Sequence, residues 1–258
     1  MIKNKYVNKA TEDLFYQRFK WTYFFFGIIL TVTIGKNLIT GITSGEATDG
    51  FFVTSFVSTN IYMFVLGILS YESLKHLIGN GVTRKNYFLG NTLANVGIAI
   101  TITIATAVVH VLEKMILKWI QLPYAVNTIN DVELTNDIIG DTIQLMILSP
   151  FVDPNDNIFL AMGMFFINIL FMSILGWFVG ISFYRFHYTI GIVSVIIIIG
   201  AEILKDNLLR IVIDLPSLGY FTFLDNLPKV AALLIIFVMF AILLYALRGM
   251  TKRITVKL

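Results

Sequence analysis

Apolar residues along the chain gather into six runs that polar segments separate: Trp21 to Ile39, Phe51 to Leu69, Tyr87 to Leu117, Ile158 to Ile181, Tyr188 to Leu204 and Val230 to Leu247. A helix needs about 20 mostly apolar residues to cross the hydrocarbon of a bilayer, so each run predicts a membrane-spanning helix. The third run, centred on Leu93 to Leu112, is long enough to protrude on both sides. The fifth is the shortest, and its far end runs into Glu202, Lys205 and Asp206. It either stops short of the headgroups or continues as a broken helix lining a wet cavity. The pattern as a whole predicts an all-α membrane protein of six transmembrane helices, residues 1–258 forming one transmembrane domain.

The connections carry patterns of their own. Ahead of the first span, Thr11 is placed to cap a helix whose first turn holds Glu12 and Asp13. Leu14, Phe15 and Phe19 then fall on one side and Gln17, Arg18 and Lys20 on the other. This predicts a short amphipathic helix lying in the membrane interface, the alternative being a plain extension of the first span. Between spans two and three, Tyr71, Leu74, Leu77 and Ile78 recur at helical spacing, with Glu72, Lys75 and His76 on the other arc. Gly79-Asn80-Gly81 stops that helix and Thr83 caps the next. Cations in a first helical turn oppose the macrodipole, so Arg84 and Lys85 imply a compensating reason, either retention of the loop or a partner's carboxylates. In the long gap 118–157, Asn130 and Glu133 make a capping-box-like start, and Leu134, Ile138, Leu145 and Met146 share one face before Pro150. An external amphipathic helix follows. The gap 205–229 holds Leu208, Leu209, Ile211 and Val212 beside charged residues and is read as a cap on that same side.

Charge fixes the expected orientation. If the N-terminus is inside, thirteen of the 19 Lys and Arg fall inside, and only Glu12, Asp13 and Glu72 of the 16 acids do. Positive flanks are retained in the cytoplasm, so both termini are expected there. The composition, 57% hydrophobic and 14% charged, exceeds what a soluble core needs. Absence of Cys excludes disulfides and thiolate chemistry. The juxtamembrane placement of the cations favours anionic lipid over nucleic acid as their partner.

Chemistry is sparse. No GxxxxGK[ST] loop is present, so any ATP and Mg must be bound by another polypeptide, and no cofactor, metal or catalytic residue is expected on this chain. His76, His110 and His187 fall in separate regions. His110 and Glu113 stand one turn apart and read as an interfacial pair reaching water, or as a proton relay. Asp153, Asn155 and Asn157 have the alternate spacing that opens a calcium loop, but Ile158 stands where the sharp turn needs Gly, so the segment reads as a Pro154 turn. Gly176 and Gly180 with Ser173 make a small-residue face suited either to packing within the chain or to dimerisation. The aromatics Trp21, Tyr23, Phe24, Phe25 and Phe26 read as a headgroup-level belt.

The stretch Ser70 to Gly90, with its Gly-Val-Thr-Arg run at Gly81 to Arg84, resembles the segment after the second membrane helix in ABC-2-type transporter permeases of Gram-positive bacteria. The six spans and the sided charge agree with that family along nearly the whole chain. The 40-residue outer gap is longer than in its simplest members. The resemblance implies a type V exporter-like half-transporter that dimerises with a second permease copy or a homologous permease and associates with ATPase subunits. It implies an elbow helix at Leu14, Phe15 and Phe19. It further implies a coupling helix that meets the ATPase through Tyr71, Glu72, Leu74, Lys75, His76, Leu77, Ile78 and Arg84. Spans two and five line the path in many relatives, which points to Tyr62, Met63 and Ser194. Exporters of amphipathic peptide toxins such as phenol-soluble modulins, and peptide-antibiotic resistance or immunity transporters, are the subfamilies it is most similar to.

The expected function is therefore an exporter permease moving an amphipathic peptide or hydrophobic compound. The alternatives are an ATP-independent channel or ion-coupled carrier, which needs ionisable groups buried in the spans, and a non-transporting peptide sensor or immunity subunit. The outer acids Glu113, Asp131, Glu133, Asp137, Asp141, Asp153 and Asp156 also form a field able to attract cationic peptides.

Overall fold

The computed structural model describes residues 2–43, 50–120, 150–186, 188–217 and 219–254. They form helices α1 (Ile2–Thr43), α2 (Phe51–Ile68), α3 (Ser70–Gly79), α4 (Arg84–Ile120), α5 (Ile158–Arg185), α6 (Tyr188–Val212) and α7 (Lys229–Lys252), with a 3-10 turn at Gly219–Leu224 before α7. No strand occurs among the described residues. Five segments, α2 with α3, α4, α5, α6 and α7, are long and apolar enough to cross a membrane, and α1 contains the first apolar run. Large side chains such as Phe24, Ile196, Phe237 and Tyr245 point outward, as a lipid-facing surface requires.

The structure makes α1 one unbroken helix of 42 residues, about 63 Å at 1.5 Å per residue. The separate interfacial helix is thus corrected to an extension of the span. Thr11 is no N-cap, because its hydroxyl donates to the Val7 carbonyl one turn back at 2.8 Å. No Pro or Gly interrupts the chain from Thr11 to Phe26, and Ala10, Leu14, Arg18, Thr22, Ile29 and Thr33 form one buried stripe. That stripe faces α4, which runs parallel to α1. Gly90 admits Ala10, Gly97 admits the Phe15 ring, and farther along Asn37 Nδ2 donates to Glu113 Oε1 at 3.3 Å.

At the centre, α5 touches α2, α3, α4, α6 and α7. It is 56% buried over its apolar window, against 22% for α7. Its tightest partner is α2. A Cβ on Gly176 would stand 2.0 Å from the Phe64 carbonyl oxygen, one on Gly180 2.3 Å from that of Ile68, and one on Gly67 2.2 Å from that of Ser173. The face Ser173, Gly176 and Gly180 therefore packs within the chain, which resolves the alternative in that direction. Toward one end of this seam Phe52, Phe56, Phe151 and Phe165 interlock. Toward the other, Trp177 lies against Tyr87 and Phe88 of α4.

The outer helix expected from Asn130 to Met146 lies outside the described residues, as do Asp131, Glu133, Asp137, Asp141 and His187. Asp153 and Asn155 do form a turn: Asp153 Oδ1 accepts from the Asn155 N–H at 2.8 Å. Asn157 Oδ1 caps α5 by accepting from the Leu160 N–H at 3.1 Å. Beyond α6, Asp225 Oδ1 accepts from the Ser217 hydroxyl at 2.6 Å and the Ser217 N–H at 2.9 Å. These bonds hold the Asp225 carboxyl below its ordinary value.

Two outcomes follow. Gly176→Ala should destabilise the purified protein by about 2 kcal/mol, because backbone atoms must separate, whereas Gly163→Ala, where nothing lies within 4 Å, should be neutral or slightly stabilising. Thermal unfolding in nanodiscs compares them, and equal midpoints contradict the packing. For Asp225, the lowered folded value means its contribution is complete above the unfolded value of about 3.9 and is lost as pH falls through the lower folded value. The Ser217 amide NMR shift should titrate with a midpoint below the ordinary Asp value; a midpoint at or above it excludes the bonds.

Candidate functional site

The helix α3 follows α2 after a one-residue break at Leu69. Its stop is local: the Asn80 N–H donates to the His76 carbonyl at 3.2 Å, and Gly81 takes φ +83°, which a side chain disfavours. Thr83 Oγ1 then accepts from the Asn86 N–H at 3.2 Å and starts α4, as the sequence predicts.

The two arcs of α3 divide their roles differently from the expectation. Leu74 and Leu77 are buried in the chain's own core with Trp177, Tyr87 and Leu14, and Ile78 packs against that cluster. Leu74 and Leu77 are therefore covered within the chain and leave no apolar surface for a partner, while Ile78 is half-buried. Tyr71 stacks on Tyr184 of α5, with centroids 5.6 Å apart. Glu72, Lys75 and His76 remain exposed, so the outward surface of α3 is polar. Tyr87 Oη donates to the Ser70 carbonyl at 2.6 Å and ties the start of α3 to α4.

Arg84 is also reassigned. Its Nε and Nη2 donate to the Ile254 carbonyl at 3.0 and 2.7 Å, and Arg185 Nη1 donates to the Met250 carbonyl at 3.0 Å. The last carbonyls of a helix lack intrahelical partners and favour cations. Two arginines from other elements thus serve Met250, in the last turn of α7, and Ile254, two residues past its end. The compensation that a first-turn arginine requires is supplied inside the chain.

A groove of about 660 Å³ opens between α1 and the α2–α3 junction, with Asp13, Gln17, Lys20, Glu72 and His76 among its walls and Leu14, Leu66 and Leu77 at its base. Of the residues expected in an elbow helix, Leu14 is buried and lines this groove, Phe15 packs on Gly97, and Phe19 is exposed. Arg18 crosses the floor. Its Nη1 donates to Asn95 Oδ1, and its Nη2 donates to Asn91 Oδ1 and to Ser70 Oγ, the last at 3.0 Å. Neutral amides thereby disperse a buried charge without an acid.

The three proposed path residues stand in three different settings. Tyr62 stacks on Phe25 at 4.1 Å and exchanges a hydrogen bond with Thr22 Oγ1 at 2.9 Å, which closes the α1–α2 seam. Met63 is fully buried among α2, α4 and α5 side chains. Ser194 is on α6, where its hydroxyl donates to the Gly191 carbonyl at 2.6 Å. His110 is buried with its ring edge-on to Phe52, so the water-reaching pair is corrected. Glu113 Oε2 accepts from the Phe51 N–H at 2.8 Å and caps α2.

The sequence reading missed the charged network on α6, which continues unbroken to Val212 and encloses Glu202, Lys205 and Asp206. Lys205 Nζ lies 2.6 Å from Glu202 Oε1, 2.8 Å from Asp206 Oδ1 and 2.7 Å from Asn168 Oδ1 of α5. The signal was the i, i+3, i+4 spacing, which keeps three charges on one helical face. No group of three metal-ligating side chains occurs among the described residues. No family model, curated protein or solved structure matches the chain.

Leu74→Asp should lose at least about 3 kcal/mol of stability, since it empties a core site and buries a charge, while Lys75→Glu should unfold like wild type. Size-exclusion profiles and unfolding midpoints in detergent decide; a well-folded Leu74→Asp protein rules out this core placement.

Proposed function

We propose that this chain is the permease subunit of an ABC exporter that moves an amphipathic peptide or hydrophobic compound outward, with ATP hydrolysed by a separate subunit. The observation that carries the reading is the seating of α3. Its apolar arc is locked to α4 and α5, and its polar arc, Glu72, Lys75 and His76, is presented outward at the basic end. A rigid-body push on α3 reaches α2 through the Leu69 junction and α5 through Leu74 and Leu77. A partner that binds two states of the bundle differently then shifts access between them.

In this reading the basic end is cytoplasmic, and so are both termini. The ATPase meets Glu72, Lys75, His76 and the adjoining groove walls through polar contacts rather than an apolar anchor. Dimerisation with a second permease uses outward apolar faces, and the substrate path forms between permease copies rather than around Tyr62, Met63 and Ser194. The buried Glu202, Lys205 and Asp206 favour a second reading, an ion-coupled carrier, because such carriers need ionisable groups inside the membrane.

Purification from native membranes identifies the partner, and reconstitution tests the drive. Export into proteoliposomes should require the co-purifying ATPase and fall about tenfold when Lys75→Glu and His76→Glu reverse the outward charge, with the fold retained. Export without any ATPase, driven by a pH gradient, moves the assignment to the carrier.

A further inference from the structure

The Lys205 ammonium has three N–H donors and three oxygen acceptors, on Glu202, Asp206 and Asn168. Three oxygens around one nitrogen match the three donors of a charged ammonium. It also lies 5.5 Å from the centroid of the Phe171 ring. The two carboxylates around it are not equivalent. Asp206 has a second cation acting on it, Arg210, one turn farther along α6. Glu202 has Lys205 alone, which it shares, and the like charge of Asp206 beside it.

Glu202 is fully buried, and its second oxygen, Oε2, has no hydrogen-bond partner. On the facing helix Asn168 Nδ2 is also buried and unpartnered. Among the described residues, no other charge approaches from the elements packed on α6. Tyr184 and Arg185 of α5, and Tyr245, Arg248 and Lys252 of α7, belong to the opposite end of their helices. Lys229 is engaged by Asp214 at 2.5 Å, and Asp225 by Ser217. An ionised carboxylate with one bare oxygen in such surroundings is far more costly than a neutral carboxyl with one.

We propose that Glu202 is a proton-binding site within the membrane-spanning region, its carboxyl holding a proton while Lys205 and Asp206 form the adjoining ion pair. The site lies 14 residues of α6 from Tyr188, about 21 Å along the helix at 1.5 Å per residue, within a segment long and apolar enough to cross a membrane. Release of the proton leaves Lys205 between two full negative charges, which draws it from Asn168 and so weakens the α5–α6 contact. This inference stands on the contact between α5 and α6 and holds for either transport reading.

The test is infrared spectroscopy of the purified chain in nanodiscs at neutral pH, where a protonated carboxyl gives a C=O stretch separate from carboxylate bands. Wild type should show one buried, slowly exchanging carboxyl that shifts in deuterium oxide. Glu202→Gln should lose it while keeping the wild-type elution profile, and Asp206→Asn should retain it. Glu202→Asp, which keeps the acid, should shift the band and serves if the Gln variant fails to fold. A wild-type spectrum without that band overturns the proposal, as does a band that survives Glu202→Gln or disappears only in Asp206→Asn.

Discussion

The backbone contact between α2 and α5 is the constraint on which the rest of the bundle depends. In lipid, helices gain no hydrophobic force from meeting one another, so association rests on close packing and polar contacts. Gly67 on one helix and Ser173, Gly176 and Gly180 on the other bring carbonyl oxygens to where a Cβ would otherwise stand. That approach fixes the register of both helices. Phe52 and Phe56 then meet Phe165 toward one end, and Leu74 and Leu77 reach the Trp177 cluster at the other. The position of α3, and of every polar side chain it presents, is thereby a consequence of three glycines and a serine.

The spans were legible because a run of about 20 apolar residues has few other physical meanings. The stop at Gly79-Asn80-Gly81 and the cap at Thr83 were legible because their geometry is local. What sequence could not show were the partners of long side chains. Leu74 and Leu77 lie on an apolar arc, but periodicity does not tell whether that arc meets its own bundle or another protein. Arg84 sits unfavourably in its own helix, and its actual acceptor, the Ile254 carbonyl, is 170 residues away. The course of α1 was misjudged for a related reason. A charged stretch beside an apolar one suggests a bend at the interface, yet the stripe from Ala10 to Thr33 runs through both segments without a break in phase.

The bundle buries charge in two different ways. Arg18 is surrounded by amide and hydroxyl oxygens, an arrangement with no carboxylate to titrate. Such a site holds its charge over the whole physiological pH range and ties α1 to α4 and to the α2–α3 junction. Lys205 is surrounded by two carboxylates and one amide, so its environment changes with every proton gained or lost. The first arrangement suits a fixed joint and the second a responsive one.

Their locations match that difference. The Arg18 network lies against the helices that share the deepest core, where α5 is pinned by α2. The Lys205 network lies on α6, only 28% buried over its apolar window and touching chiefly α5, α7 and the 3-10 turn. Separating α6 from α5 parts Ile198, Leu208 and Leu209 from the apolar side chains of α5 and strips Asn168 from Lys205, whose two carboxylate partners stay with it on α6. Packing and charge therefore both hold this seam, and only the charged part of it responds to a proton.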